Sequence, residues 1–173
     1  MIMEFRGTAP KIHESVFIAD TATVIGDVEI GEDSSVWFGS VIRGDVNYIR
    51  IGARTNIQDM TMIHVSSKTH TTVLEDEITV GHRVTLHGCH IESRCLIGIG
   101  AIVMDGVRVG NNSLVGAGSL LTPGTQIPPR SLVLGAPAKV KRELTDDEIK
   151  YLDRSWQNYT ELKKHYLAAD GRG

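Results

Sequence analysis

The feature that most constrains this chain is an aliphatic residue at every sixth position. A step of six that starts at Ile91 meets eight of them in succession: Ile91, Ile97, Val103, Val109, Val115, Leu121, Ile127 and Val133. Earlier blocks keep the same step, through Ile12, Ile18, Val24, Ile30, Val36 and Ile42, then Ile51, Ile57 and Ile63, then Val80 and Leu86. A period of six is neither the helical period nor the simple alternation of a strand. It indicates short repeated strands that each turn one residue toward a shared core.

This repeat is typical of a parallel β-helix, a solenoid whose rungs stack along one axis. Three hexads close one triangular coil, so about 18 residues advance the chain by one sheet spacing of about 4.8 Å. The composition, with 18 glycines and only 5% aromatic residues, suits short strands and tight turns. We therefore predict an all-β solenoid domain over residues 1–138. The repeat breaks at residues 42–51, 63–80 and 86–91, and we expect a polar loop at 66–77.

The character of the sequence changes after the repeat, and residues 139–173 predict a C-terminal amphipathic α-helix. Thr145 and Glu148 form a capping-box signature at its start. We expect a helix of about 24 residues that packs on the solenoid or on a neighbouring protomer, and frayed residues at 169–173. Its apolar positions follow at spacings of three and four: Ile149, Leu152, Trp156, Tyr159 and Leu162.

Composition excludes several classes of function. The formal charge of −3 lies near balance and no run of Lys or Arg occurs, which argues against nucleic acid or an anionic membrane as partner. No segment resembles a signal peptide or approaches the length of a membrane span, so we expect a cytoplasmic protein. Cys89 and Cys95 lack the spacing of a zinc site, and we interpret them as small buried side chains.

The hexad repeat predicts where the histidines lie on the solenoid. His64 follows Ile63 and His87 follows Leu86, so both occupy the second place of a hexad. The interval between them is one coil plus five residues. If the loop absorbs the extra residues, the two histidines lie in adjacent rungs, about 4.8 Å apart. By the same count Arg43 lies one rung before His64.

Asp59 and His82 share a column on the preceding face, so His82 lies around a corner from the other two histidines. One protomer cannot easily bring all three to one ion, whereas two protomers packed edge to edge can. This predicts a cyclic homotrimer with one site per interface. Three neutral imidazoles with an open fourth position are typical of catalytic Zn²⁺, and Fe²⁺ or Co²⁺ suits the same ligands.

A simple solvated surface is the alternative interpretation of these outward histidines. His13, His70 and His165 have no such partners in the count, and we expect them to be surface residues. His90 falls in an irregular segment, so the repeat does not predict its position.

Four short motifs resemble the signature of the gamma-class carbonic anhydrases, a family of left-handed β-helix proteins: "RGD" at 43–45, "NIQD" at 56–59, "IH" at 63–64 and "GHRVTLHGC" at 81–89. The resemblance implies a left-handed coil. It implies His64, His82 and His87 as metal ligands, with His82 reaching across a trimer interface. It also implies that a metal-bound hydroxide hydrates CO2 reversibly to bicarbonate.

The resemblance also implies roles for polar residues around the site. Gln58 would orient the nucleophile or the product, and Arg43 and Asp59 would form an ion pair between subunits. Asp45 would accept a hydrogen bond from a ligand or brace the interface. Asn56 turns the backbone in "NIQD", although the family places it near the substrate. Tyr159 corresponds loosely to a tyrosine of the family's pocket and also fits core packing.

The chain departs from the best-studied branch of that family. That branch has an acidic loop with a glutamate proton shuttle and a further glutamate after the "RGD"-like aspartate, where this chain has Val46. The acids near the expected loop are Glu75, Asp76 and Glu77. We therefore expect a short-loop enzyme with slow proton removal, for which His70 is an alternative relay.

Three other functions remain open. A hexapeptide acyltransferase would use a lone histidine base and a CoA groove without metal. A metal-dependent acyl-CoA thioesterase would use the same metal site. A non-catalytic trimeric homologue would keep the site only as a structural link between subunits.

Overall fold

Twenty short strands and one helix make up the fold, and the computed structural model describes residues 1–169. The strands stack as a parallel β-solenoid of about seven turns, as the sequence predicted. In chain order the elements are β1 (Ile2–Met3), β2 (Lys11–Ile12), β3 (Phe17–Ile18), β4 (Thr23–Ile30), β5 (Ser35–Val36), β6 (Val41–Ile51), β7 (Asn56–Ile57), β8 (Met62–His64), β9 (Thr72–Leu74), β10 (Thr79–Val80), β11 (Thr85–His87), β12 (His90–Ile91), β13 (Leu96–Ile97), β14 (Ile102–Val103), β15 (Arg108–Val109), β16 (Leu114–Val115), β17 (Leu120–Leu121), β18 (Gln126–Ile127), β19 (Ser131–Gly135), β20 (Ala138–Glu143) and α1 (Asp146–Ala169).

The solenoid has three faces, named here in the order in which the chain visits them. Face 1 carries β3, β5, β7, β10, β13, β16 and β19. Face 2 carries β8, β11, β14 and β17, and face 3 carries β9, β12, β15 and β18. The long strands β4 and β6 turn from face 2 to face 3 and take part in both. Each coil therefore passes from face 1 to face 2 to face 3.

The aliphatic hexad residues form the core. Ile12 is half-buried, and every other residue of the series is buried. Strands of successive coils pair in register at the expected interval, as Leu96 does with Leu114, 18 residues later. Full burial of one such side chain contributes about 1.5–3 kcal/mol to folding. The prediction that the step of six marks the inward positions is confirmed.

The break in the repeat at residues 42–51 is a bulge within one strand. Strand β6 runs unbroken from Val41 to Ile51 and pairs with β4, with a shift of register between Gly26 and Val28. The extra residues form a bulge, because β4 offers a partner on both sides of it. The step of six fails here although the strand continues.

The loop predicted at residues 66–77 is also shorter than expected. The chain leaves the solenoid after β8 and makes a small turn closed by a bridge between Ser66 and His70. Strand β9 then rejoins face 3, with Leu74 fully buried. The excursion is therefore residues 65–71, which we call the inserted segment. The count of six missed Leu74 because the insertion shifted it.

Helix α1 begins directly after its predicted capping box, and its 24 described residues match the expected length. Its capping box is formed: Thr145 N–H donates to the Glu148 carboxylate at 2.9 Å, and Glu148 N–H donates to Thr145 Oγ1 at 3.3 Å. The helix packs on face 1 of its own chain, over β3, β5, β7 and β10. Residues 138–143, mostly assigned to the helical segment by the sequence, instead form β20, antiparallel to β19. Fraying was expected at residues 169–173, and residues 170–173 lie outside the described part of the chain.

One position of the helix differs from the predicted apolar face. Leu162 is 41% exposed, so its expected packing is wrong, and the next residue, Lys163, is buried instead. The Lys163 ammonium donates to the Ser15 carbonyl at 2.6 Å and pairs with Asp33 at 3.0 Å. Partners on the solenoid make burial of this charge favourable.

The two cysteines are free and buried, as expected for small core residues. Burial raises the pKa of both thiols, Cys89 and Cys95, to about 12. Within residues 1–169, no helix combines the length and apolar character that crossing a membrane requires.

Candidate metal centre

His64 and His87 lie side by side on face 2. Strands β8 and β11 pair in parallel with His64 directly opposite His87, so the predicted register is confirmed. The ring centroids are 5.1 Å apart, and His64 Nδ1 lies 3.2 Å from His87 Nε2. Two imidazoles 23 residues apart in the chain therefore present one nitrogen each to the same point.

The other nitrogen of each ring contacts a carboxylate. His64 Nε2 lies 2.9 Å from Asp45 Oδ1, and His87 Nδ1 lies 2.6 Å from Asp105 Oδ1. Burial raises the pKa of Asp45, but hydrogen bonds from His64 and Arg43 outweigh it and lower the pKa below its usual value. Burial likewise raises the pKa of Asp105, and hydrogen bonds from Ser66 and His87 outweigh it. Both carboxylates are therefore ionised at neutral pH.

For two neutral rings, this arrangement decides which nitrogens carry hydrogen. An ionised carboxylate only accepts, so each ring must donate its N–H to its aspartate, and a neutral imidazole has a single N–H. The two facing nitrogens, on His64 and His87, are then both lone-pair acceptors at 3.2 Å. A cation between them would turn this repulsion into attraction. Tetrahedral zinc at 2.0–2.1 Å from each nitrogen separates its ligand atoms by about 3.3 Å. The pair thus fits two ligands of such an ion.

Arg43 completes this half of the site. Ile42 pairs with Ile63, which places Arg43 one rung before His64, as counted from the sequence. The Arg43 guanidinium forms an ion pair with Asp45 Oδ2 inside the protomer. Its predicted ion pair with Asp59 of a neighbouring subunit stays a prediction.

His82 lies at the corner between faces 1 and 2, away from the facing pair. Ile57 pairs with Val80, so Asp59 and His82 share a column, as predicted, and their side chains meet at 2.8 Å. The side chain of His82 is 41% exposed. Within residues 1–169 no three His, Cys, Asp or Glu side chains come together as a metal site. One protomer therefore does not bring His82 to the paired histidines.

Gln58 and Asn56 form a buried amide pair on face 1. Asn56 lies in strand β7 rather than in a turn, so the expected backbone role in "NIQD" is wrong. Its amide donates to Thr79 Oγ1 at 3.0 Å, and its oxygen accepts from Gln58 Nε2 at 3.2 Å. Asn56 therefore orients the Gln58 amide and leaves Gln58 Oε1 as the acceptor.

Tyr159 lies beside this amide pair. It lines, with Gln58, a cavity of about 430 Å³ between α1 and face 1. Its ring packs edge-on against Trp37 at 5.3 Å. Burial raises the pKa of Tyr159, and the charge of Asp59 raises it further. The two roles expected for Tyr159, core packing and lining a pocket, are both compatible with this position.

Sequence reasoning missed Asp105. Asp105 follows His87 by 18 residues, one coil, so the same column count would have found it. His70 is half-buried rather than fully exposed, and its Nδ1 atom is buried with no hydrogen-bond partner among the described residues. His90 pairs with Glu75 at 2.9 Å on face 3.

Comparisons with known proteins agree with this architecture. Residues 9–44 and 88–123 match the family described as bacterial transferase hexapeptide (six repeats). A Geobacillus kaustophilus protein named carbonic anhydrase is 51% identical over 97% of this chain and 92% of its own. The crystal structure of a hexapeptide transferase family protein from Anaplasma phagocytophilum is similar with a TM-score of 0.92, at 41% identity, over 96% of this chain and 98% of that one.

A plant relative extends the similarity to a longer protein. The mitochondrial gamma carbonic anhydrase 1 of Arabidopsis thaliana is 42% identical over 99% of this chain. The matched part is 64% of the plant protein's length. The similarity thus includes both the solenoid and the terminal helix.

Proposed function

From the premise that this chain belongs to the gamma carbonic anhydrase family of hexapeptide-repeat proteins and is a carbonic anhydrase-like lyase, we propose that it hydrates CO2 reversibly to bicarbonate at a metal centre shared between protomers of a homotrimer. One observation carries the metal part of this proposal. His64 and His87 turn two lone-pair nitrogens toward each other at 3.2 Å while ionised aspartates hold their N–H groups. A metal cation bound by both nitrogens, or a proton shared between them, makes that pairing favourable, and the metal is the occupant that the family implies.

The proposed ligands are His64, His87 and His82 of the partner subunit. Neutral imidazoles in a set of three are suited to Zn²⁺, with Fe²⁺ or Co²⁺ as alternatives set by metal availability. When bound, Zn²⁺ lowers the pKa of water to about 7 and so supplies a nucleophile at neutral pH. Asp59 holds Nδ1 of His82, which leaves the ring's other nitrogen for the ion.

The polar residues act on substrate and product. Gln58, oriented by Asn56, offers its Oε1 atom as an acceptor to a water or to the bicarbonate hydroxyl. Arg43 is half-exposed beside Asp45 and places positive charge near the anionic product. Tyr159 borders the same cavity as Gln58 and limits its volume.

The three acids at residues 75–77, where a proton acceptor was expected, are all engaged by other groups. Glu75 pairs with His90 at 2.9 Å, Asp76 accepts the Ala53 N–H at 2.7 Å, and Glu77 pairs with Arg54 at 2.9 Å. Each acid thus has a structural partner. We expect turnover to depend on buffer concentration, because solvent buffer must take the proton.

Exposed apolar residues support a protomer interface on both sides of the site. Met62 and Ile102, on face 2, are 39% and 40% exposed, and Ile99, beside the cavity on face 1, is 55% exposed. Apolar side chains that are exposed near a polar site are common at subunit interfaces. Two free buried cysteines suit a reducing compartment, and we propose the cytoplasm.

The test is CO2 hydration by anaerobically purified protein with metal quantified per subunit. We expect about one metal ion per protomer, as one site per interface of a ring requires. Hydration should be lost on chelation and in His87→Ala. Absence of stoichiometric metal would contradict the proposal and favour the acyltransferase. Hydrolysis of acyl-CoA without CO2 hydration would favour the thioesterase. A trimer that His82→Ala disrupts, with no hydration at any buffer concentration, would favour the non-catalytic homologue.

A further inference from the structure

We propose that Asp105 is the positioning residue that sets the orientation and the ring tautomer of His87 for metal binding, and that the inserted segment exists in part to hold Asp105. This inference rests on the proposed function, since it concerns the same metal centre. Asp105 Oδ1 accepts from His87 Nδ1 at 2.6 Å, and Asp105 Oδ2 accepts from the Ser66 hydroxyl at 2.7 Å. Ser66 belongs to the inserted segment, and 39 residues of chain separate it from Asp105.

The bond to Asp105 decides which nitrogen of His87 is available. A neutral imidazole can carry its hydrogen on either nitrogen, and the partner of one nitrogen selects the state of the other. With Nδ1–H donated to Asp105, Nε2 keeps its lone pair, and Nε2 is the atom that faces His64. A carboxylate behind a ligating histidine also raises the basicity of the ring.

Asp45 and Asp105 differ in the charge of their second partner. Asp45 shares its carboxylate between His64 and the Arg43 cation. Asp105 shares its carboxylate between His87 and the neutral hydroxyl of Ser66. A neighbouring cation offsets the negative charge that a carboxylate offers to its histidine. Asp105 is therefore the stronger partner of the two, and its loss should weaken metal binding more.

The backbone around His87 makes room for Asp105. Gly88 has a φ of +60°, and a Cβ added there would lie 2.2 Å from Asp105 Oδ1. A side chain at this position would displace the carboxylate. Glycine therefore serves two needs here, the left-handed backbone conformation and the space for Asp105.

Thr72, directly after the inserted segment, joins the two strands that carry His64 and His87. Thr72 Oγ1 donates to the carbonyl of His64 at 2.6 Å and accepts the N–H of Gly88 at 2.9 Å. Its side chain is fully buried. With Ser66 at one end and Thr72 just past the other, the insertion is anchored to both histidine strands and to Asp105.

The experiment measures metal affinity of the trimer rather than turnover. Wild type, Asp105→Asn, Ser66→Ala and the control Glu92→Gln, a carboxylate that pairs with Arg108 on face 3, are titrated with Zn²⁺ and Co²⁺ against a competing chelator. Asp105→Asn should weaken binding about 10–100-fold and alter the visible spectrum of bound Co²⁺. Ser66→Ala should weaken it less than about tenfold, and Glu92→Gln should match wild type.

Nitrogen-15 NMR of metal-free protein gives a second measurement that does not depend on metal. Wild-type His87 should be protonated at Nδ1, and Asp105→Asn should lose this preference. Wild-type affinity together with an unchanged tautomer in Asp105→Asn would overturn the inference. If wild type binds no metal, the proposed function fails, and the tautomer measurement still decides whether Asp105 positions the ring. If Asp105→Asn does not fold, weaker Zn²⁺ binding in Ser66→Ala than in Glu92→Gln supports the inference, and equal binding in the two overturns it.

Discussion

The stretches from Val41 to Ile91 and from Ile91 to Val133 are built on the same hexad, yet they differ in regularity. In the second stretch every sixth residue is a buried aliphatic and each rung repeats after 18 residues. The first stretch contains an 11-residue strand with a bulge, the inserted segment and two rungs that carry histidines. Every metal ligand proposed above lies in the first stretch.

The difference separates stability from function. Uninterrupted hexads bury their aliphatic residues almost completely and set the constant length of each coil. Departures from the hexad move polar groups off the repeat and join them to the site, as Ser66 and Thr72 show. Asp105 is the exception that connects the two, because it lies in the regular stretch and contacts His87 one coil earlier. Insertions in solenoids commonly serve function in this way.

The largest effect on folding should come from the regular stretch. Leu121→Ala removes a fully buried side chain from the core, and should cost about 2–5 kcal/mol in the free energy of unfolding. Metal stoichiometry of the folded protein should stay unchanged. Chemical denaturation gives the first quantity and metal analysis the second. The matched control, Leu162→Ala at an exposed helix position, should change stability by less than about 0.5 kcal/mol. Similar losses of unfolding free energy in Leu121→Ala and Leu162→Ala, or a loss of metal in Leu121→Ala, would contradict the separation of stability from function.

Two glycines with similar backbone conformations make the next comparison. Gly88 in the interrupted stretch has a φ of +60°, and Gly118 in the regular stretch has a φ of +66°. Alanine at either should cost about 1–2 kcal/mol of backbone strain. A Cβ at Gly118 meets nothing within 4 Å, whereas one at Gly88 meets Asp105. Metal titration should therefore show weaker binding in Gly88→Ala alone. Equal metal affinity in the two folded variants would count against the role of Gly88.

The smallest effect should come from the helix, which lies outside both stretches. The ion pair with Arg142 and the N–H of Thr145 lower the pKa of Glu148 to about 2. The pKa of Glu148 in the folded protein lies below its ordinary value of 4.5. The stability that the ionised carboxylate adds is therefore complete above pH 4.5 and is lost as the pH falls toward 2. Glu148→Gln should lower Tm at neutral pH and flatten its dependence on pH in that window. Glu161→Gln, at another exposed glutamate of α1, is the control, and identical pH profiles for both would contradict the assignment.

The sequence predicted the parts of the fold that follow local rules. The step of six placed His64 opposite His87 and Asp59 beside His82, because each coil has a fixed length wherever the repeat holds. The capping box placed the start of α1 for a similarly local reason.

The predictions failed where non-local partners decide the structure. Residues 42–51 form one strand because β4 pairs with them on both sides of the bulge at 45–48, which the hexad count alone cannot reveal. Lys163 is buried because Ser15 and Asp33 of distant rungs meet its ammonium. Asp105 obeys the coil length, since it lies 18 residues after His87, but a carboxylate one rung beyond the last histidine has no motif of its own in the sequence.

The central claim is that each active site takes His64 and His87 from one protomer and His82 from the next. Its most direct test mixes two inactive variants, His82→Ala and His87→Ala, and measures CO2 hydration and bound metal in the re-formed trimers. Each variant alone should lack activity. Random mixing should restore about one interface in four, and thus about a quarter of the wild-type activity and metal content. Mixed trimers without recovered activity, or full activity in His82→Ala alone, would contradict the shared site.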